Sequence, residues 1–289
     1  MKRTRCCHDF GAQPPRAPSG DGLWQARPRN ARPAAVRAIK AFLVVTFALA
    51  LAQVTPLAPA QEPSGRDILD RVENLLWGKT LQGEFEMTIA TPRWQRTLGM
   101  RVWVERPTRS FIRILSPAKE AGIGSLRIRS EMWNYLPNVE RTIKIPPSMM
   151  LQPWMGSDFT NDDLVKESSI INDYTHKVLA IITLDDQPVY QVEALPKPDA
   201  AVVWGKIVFW VRRSDFVPLK QEYYSERGEL VRVMTFSDIR SMGGRTIPTR
   251  WEMRPVAKPA NATTMVVKNV VYNRPIDEEI FTQRNLQKP

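Results

Sequence analysis

The stretch GEFEMTIATPRWQRTLGMRVWVE, residues 83–105, decides the fold. In its first part Phe85, Met87 and Ile89 share one side of the chain, and Glu84, Glu86 and Thr88 take the other. Past a turn, Leu98, Met100, Val102 and Val104 repeat the same alternation. A period of two marks half-buried strands, because successive Cβ atoms point to opposite faces of a sheet. Two such runs in succession read as antiparallel neighbours.

Outward from this pair the pattern continues. RSFIRIL, GSLRIRS, EMWNYLP and ERTIKIP follow, and strands are expected at 177–183, 189–195, 201–212, 218–225, 230–238, 246–254 and 263–272. Turns made of Pro, Gly, Asn or Asp separate them, and RPVAKPANAT reads as an exposed hairpin loop. No helical stretch is long enough for parallel crossovers. One helix is expected over 64–76, with Ser64 as its cap, Ile68, Leu69, Val72, Leu75 and Leu76 at helical spacing, and Gly78 at its end. The chain is therefore read as mainly β, with about eleven antiparallel strands in one curved sheet or half-open barrel.

The first 60 residues stand apart from this pattern. They hold nine Lys or Arg against two Asp, and an apolar run from Ala41 to Ala52 follows Lys40. The run is short for a membrane span of about 20 residues, and Ala58 and Ala60 fit a small-x-small cleavage rule. Residues 1–60 thus read as a basic leader plus secretory signal, cleaved after Ala60, and 61–289 as one domain. The alternative is an uncleaved anchor in the inner membrane. The formal charge of +11 shrinks to +4 once the leader is set aside. That is ordinary for a soluble domain and gives no sign of nucleic-acid binding. Both cysteines, Cys6 and Cys7, lie in the leader, so the expected mature chain has no disulfide, no thiolate metal site and no cysteine to acylate. A soluble, monomeric periplasmic protein is the expectation.

One segment does not fit a sheet: IPPSMMLQPWMGSDFTNDDL, residues 145–164. Pro146 and Pro147 stop the preceding strand, because proline cannot donate to a ladder. Met149, Met150 and Met155 are unbranched and suit an irregular or changing apolar surface. Thr160 with Asp163 resembles a capping box that starts a short helix. Residues 149–155 read as an apolar plug or lid, or as a docking surface for a membrane partner, with 156–164 as the capped turn holding it.

Several strands are apolar on both sides. Ile207, Phe209 and Val211 oppose Val208 and Trp210; Trp103 lies opposite the apolar side of its strand; Val231 and Val233 oppose Leu230, Met234 and Phe236. Both faces of such strands need shelter. Either helices and loops cover them, or one face encloses an apolar cavity. The candidate lining of the cavity from the strands is Trp103, Trp133, Phe209, Trp210, Met234 and Phe236. The candidates from the central segment are Met149, Met150, Leu151, Trp154, Met155 and Phe159.

Motifs for chemistry are missing. His176 is the one histidine outside the leader, too few for a multi-imidazole zinc site. No G-x-S-x-G elbow, P-loop or dinucleotide fingerprint occurs. Asp158, Asp162 and Asp163 lack the glycine and distal glutamate of an EF-hand. No catalytic, metal or cofactor residue is assigned, and a non-enzymatic protein is expected.

The segments LSPAKEAGIGSL, MWNYLP, IPPSMM, WMGSDFTNDDLVKESS, DYTH, DFVPLKQEYY, GELVRVMTFSDIRSMGGRTIPTRWEM and IFTQRNL resemble the bacterial outer membrane lipoprotein-sorting protein family, over about 64–286. This family is related to the periplasmic lipoprotein carrier LolA and the receptor LolB. The resemblance implies a half-open antiparallel β-barrel with short helices over its concave face. It implies an apolar interior that holds lipoprotein acyl chains or other lipid. It also implies an inner-membrane ABC or RND-type transporter as partner. An accessory transporter subunit without lipid cargo is the alternative. LolA couples lid to barrel through an arginine; Arg101, Arg113 and Arg127 are the candidates here by strand placement.

Overall fold

A computed structural model describes residues 61–165, 169–200 and 202–288. The expected leader and signal lie outside the described residues.

The chain enters through helix α1, Gly65–Trp77. Ser64 caps it: its Oγ accepts the Asp67 N–H at 3.2 Å, and the Asp67 carboxylate accepts the Ser64 N–H at 3.2 Å. This reciprocal capping satisfies donors that the first turn leaves open. Ile68, Leu69, Val72 and Leu76 form the buried stripe, and Gly78 ends the helix with a positive φ of 63°.

Among the described residues thirteen strands follow, one for each segment named from the sequence, so the total of about eleven was low: β1 Thr80–Ala90, β2 Gln95–Glu105, β3 Arg109–Ser116, β4 Gly124–Ile128, β5 Glu131–Leu136, β6 Arg141–Lys144, β7 Tyr174–Leu184, β8 Gln187–Pro196, β9 Lys206–Arg212, β10 Pro218–Tyr224, β11 Leu230–Met242, β12 Arg245–Pro255 and β13 Ala262–Tyr272. They form one antiparallel sheet in the order β6-β5-β4-β3-β2-β1-β13-β12-β11-β10-β9-β8-β7. The sheet is open, with β6 and β7 at its ends. Every neighbouring pair is consecutive in sequence except β1 with β13, which runs from Leu81 opposite Tyr272 to Ala90 opposite Ala262. The fold is thus two meanders, β1–β6 and β7–β13, joined along that seam.

Two strand boundaries differ most from the sequence reading. The strand expected at 201–212 begins at Lys206, because Val202 and Trp204 leave the sheet and pack against the core. The strand expected at 230–238 runs on to Met242 through Asp238, whose φ is 56°.

Alternation assigns the faces. Leu81, Phe85, Met87 and Ile89 of β1 and Leu98, Met100, Val102 and Val104 of β2 join the α1 stripe in the main inner core. On the outer face Phe111 and Leu126 form a second cluster with Phe281 and Leu286 of the C-terminal segment. Val189, Val208 and Trp210 form a third.

Candidate functional site

β6 and β7 are consecutive in the chain but lie at opposite ends of the sheet. The segment between them therefore links the two open edges, and it carries the motif that did not fit a strand. Pro146 and Pro147 end β6, and Pro147–Met149 forms one 3₁₀ turn. The chain then doubles back: Trp154 N donates to Phe159 O at 2.7 Å, Asn161 N to Gln152 O at 3.1 Å, and Asp162 N to Met150 O at 2.8 Å. Met155 and Gly156 make the reversal with φ of 51° and 73°. This throws Trp154 inward, where it is 2% exposed and its indole N–H donates to Ser125 Oγ at 3.0 Å. Arg96 of β2 donates to the Met155 carbonyl and pairs with Glu120 at 3.3 Å.

The polar half of the segment holds it down. Short helix α2, Asn161–Val165, starts with the expected cap: Thr160 N and Oγ1 donate to Asp163 Oδ2 at 2.7 and 2.9 Å, and Asp163 N donates back to Thr160 Oγ1 at 3.2 Å. Asp158 meets Thr263 of β13 twice, its N–H donating to Oγ1 at 2.9 Å and its carboxylate accepting from Oγ1 at 2.7 Å. Asn161 Nδ2 donates to Met149 O at 3.0 Å, tying the polar turn to the apolar leg.

The strongest tether was not singled out from the sequence. Arg232 of β11 is 3% exposed and forms two bonds to the Asp163 carboxylate, at 2.8 and 2.5 Å, and a third to Asp158 O at 3.1 Å. Its guanidinium lies 4.4 Å from the Trp204 ring and 4.5 Å from the Tyr223 ring. Burial alone pulls its pKa down, but the Asp163 carboxylate outweighs this and holds it above the ordinary arginine value. A signal was available: Arg232 shares strand parity with Met234 and Phe236, so it is a charge on the apolar side of β11.

The far leg is anchored through its carbonyls. Arg66 of α1 donates to Ile171 O at 2.6 Å, and Lys197 to Asn172 O at 2.5 Å. His176 Nε2 lies 2.7 Å from Ile170 O, and burial lowers its pKa below the usual imidazole value. Its place is beside a backbone carbonyl at the foot of the segment.

Beneath the segment lies a cavity of about 210 Å³. Its wall includes Trp77 of α1, Phe85 and Met100 of the sheet, Trp251 and Met253 of β12, and Trp204. Among the expected residues, Trp154, Phe159, Phe209, Met234 and Phe236 line it. Met150 and Met155 pack against the inner core beside it, while Met149 and Leu151 face outward, 45% and 56% exposed. Trp103 and Trp133 lie on the opposite face with Phe111 and Phe281, and Trp210 lies there with Val189 and Val208, under Lys220 at 3.7 Å. Strand parity is the cause: Trp103 alternates with Val102 and Val104, and Trp210 with Phe209 and Val211, which point inward.

The arginine candidates have other partners. Arg101 pairs with Glu84 at 2.6 Å on the outer face. Arg113 donates to the carbonyls of Gly122, Asn285 and Lys288. Arg127 donates to Ser110 Oγ at 3.2 Å and to Pro107 O at 3.1 Å. Among the described residues no three His, Cys, Asp or Glu side chains are placed to hold a metal ion, and no helix is long and apolar enough to cross a membrane.

A family model described as an uncharacterized protein matches residues 106–288. No curated protein matches the chain significantly. Solved structures do. A DUF1329 family protein from Desulfovibrio piger aligns with TM-score 0.70 at 21% identity, over 77% of this chain and 97% of the other. A domain described as an outer membrane lipoprotein-sorting protein from Vibrio parahaemolyticus gives 0.68 at 21% identity, over 78% and 98%. A LolA superfamily protein from Nitrosomonas europaea gives 0.67 at 22% identity, over 78% and 100%. At these identities the likeness is one of fold, and it agrees with the resemblance read from the sequence. The chain belongs to the family of the model that matches 106–288, and its open, mainly β fold is that of the LolA superfamily and lipoprotein-sorting structures.

Proposed function

We propose that the protein is a non-enzymatic periplasmic carrier that shelters lipoprotein acyl chains, or another lipid, beneath the central segment. The observation that carries this reading is an apolar cavity left open under a cover tethered by polar contacts, although Trp154 is already inserted. A fixed plug would fill that space.

The mechanism is non-covalent. Each methylene moved from water into the cavity contributes about 0.8 kcal/mol. The volume, about 210 Å³, is below the roughly 300–1,000 Å³ of ordinary ligand pockets. A full acyl chain therefore enters only when residues 145–165 shift, and the Arg232–Asp163 pair sets the cost of that shift. Part of the gain from burying cargo is spent on opening, which keeps the complex exchangeable. Export by the signal within 1–60 places the carrier in the periplasm as a soluble monomer. Exposed Met149 and Leu151 are the contact points for an inner-membrane ABC or RND-type partner.

Native mass spectrometry with lipid extraction, on protein purified from its own envelope, tests the reading. The expected result is co-purifying lipid or lipoprotein. Bare protein, under conditions where a known carrier keeps its cargo, rules it out.

A further inference from the structure

The cavity is not uniformly apolar, and its polar groups point to the chemistry of the guest. Tyr174 of β7 lines it and is 3% exposed, yet its hydroxyl has no hydrogen-bond partner among the described residues. Gln221 of β10 also lines it and is 8% exposed. Its carbonyl oxygen accepts from Tyr223 Oη at 2.6 Å, which leaves the amide N–H₂ to the cavity. Both groups are neutral donors open to the cavity space, and a guest that fills this space without offering them an acceptor leaves them unpaired, which is costly.

The charged groups of the wall set the second condition. Asp163 is bonded to Arg232, and Glu73 lies 3.6 Å from Arg106. Glu73 and Asp163 are thus paired with cations, Asp162 is a third acid of the wall, and among the described lining residues there is no Lys, Arg or His to receive an anionic head. A carboxylate or phosphate would enter a low-dielectric space beside carboxylates without a counter-ion of its own. Burial, with Asp162 and Asp163 nearby, pushes the Tyr174 pKa up, so the hydroxyl stays a donor.

We infer that the cavity selects an uncharged apolar guest whose ester or hydroxyl oxygen accepts from Tyr174 Oη and Gln221 Nε2, and that it discriminates against free fatty-acid and phosphate heads. This specificity rests on the carrier reading and narrows its cargo to neutral, oxygenated chains. Tyr174 and Gln221 are the specificity determinants, and the aromatic and methionine wall supplies affinity.

The test uses the full purified chain and ligands of one chain length: methyl octanoate, octanol, octanoate, octyl phosphate, octylamine and nonane. Fluorescence of the cavity tryptophans reports binding. Methyl octanoate and octanol are expected to bind at least about tenfold more tightly than octanoate or octyl phosphate. Tyr174→Phe removes only a hydroxyl that none of the described residues engages, so the variant is expected to fold. With Gln221→Leu as a second, separate variant, it is expected to weaken octanol and methyl octanoate about fivefold and to leave nonane unchanged. Unchanged octanol affinity in both variants overturns the inference, as does octanoate binding as tightly as its ester. Tightest binding by octylamine overturns it as well, because the acids would then be reading charge. In these three cases the carrier reading survives; binding by no member of the series removes both.

Discussion

Two irregular segments cover the two faces of one sheet, and each is gripped by a buried arginine. On the outer face the C-terminal residues, a 3₁₀ turn at Glu278–Phe281 and helix α3 at Gln283–Leu286, lie over β3–β5. Phe281 and Leu286 are driven in to 3% and 0% exposure, and Arg113 holds the carbonyls of Asn285 and Lys288. On the inner face residues 145–165 lie over β1, β2 and β10–β12, gripped by Arg232 through the Asp163 carboxylate. The grips differ in kind. Arg113 meets only neutral oxygens, and burial lowers its pKa; Arg232 meets a carboxylate, and its pKa is raised. The outer cover is fastened by close packing, with Leu286 against Gly124, where an added Cβ would lie 2.7 Å from Leu286 Cδ1. The inner cover encloses empty space and relies on polar tethers. Packing makes a permanent seal, whereas a charge pair over a void makes one that can open.

The contrast can be broken most forcefully at Arg232. Arg232→Met leaves Asp163 without its charged partner, and losing one member of a buried pair costs about 3–5 kcal/mol. A lower denaturant midpoint and new binding of an apolar dye are expected together. A stable variant with no added dye binding would show that the pair does not hold the inner cover. Next in size is Leu286→Ala, for which a loss of about 3 kcal/mol is expected from transfer and cavity terms. Octanol affinity should stay at the wild-type value; a change there would link the covers and weaken the comparison.

Alkali separates the faces more gently. Burial raises the pKa of Tyr174 and Tyr223, both on the inner side, so the folded state favours the protonated phenols. Their contribution is fully present below the unfolded value of about 10, and is lost as pH rises toward the folded values, at roughly 1.4 kcal/mol per tyrosine per pH unit. Dye access to the inner face should therefore rise above pH 10 or so, before the outer cluster around Trp103 and Phe111 loosens; simultaneous loss would argue against separate covers. The smallest effect is expected from Ser64→Ala. Removing the α1 cap should cost about 1 kcal/mol in thermal unfolding while altering neither cover.

Much of this architecture was legible. The capping of α1, the alternation of β1 and β2, and the Thr160–Asp163 cap all follow from local rules, because each depends on residues a few positions apart. The candidate site was harder. Trp103, Trp133 and Trp210 are aromatic residues on strands, and alternation shows that Trp103 opposes Met100 and Val102, but not which side encloses space and which receives the C-terminal segment. That depends on residues about 175 positions away in sequence, as in the Arg113–Lys288 contact. Arg232 was hidden by its charge, since a charged strand residue is usually solvated and its partner Asp163 is 69 positions upstream.

The seam between β1 and β13 also bears on how the molecule is made. Ten residue pairs join the first strand to the last, from Leu81–Tyr272 to Ala90–Ala262, while every other pairing is between sequence neighbours. A chain that emerges N-terminus first thus presents β1 long before its second partner arrives. Until β13 emerges, Phe85, Met87 and Ile89 sit beside an unpaired strand edge, open to pairing with another chain. By contact order, the local hairpins are expected to form early and the long-range closure to be the slow event. Replacing Val267, opposite Phe85 on β13, with a charged residue should therefore lower the yield of soluble protein during synthesis more than an equally destabilising change within a hairpin.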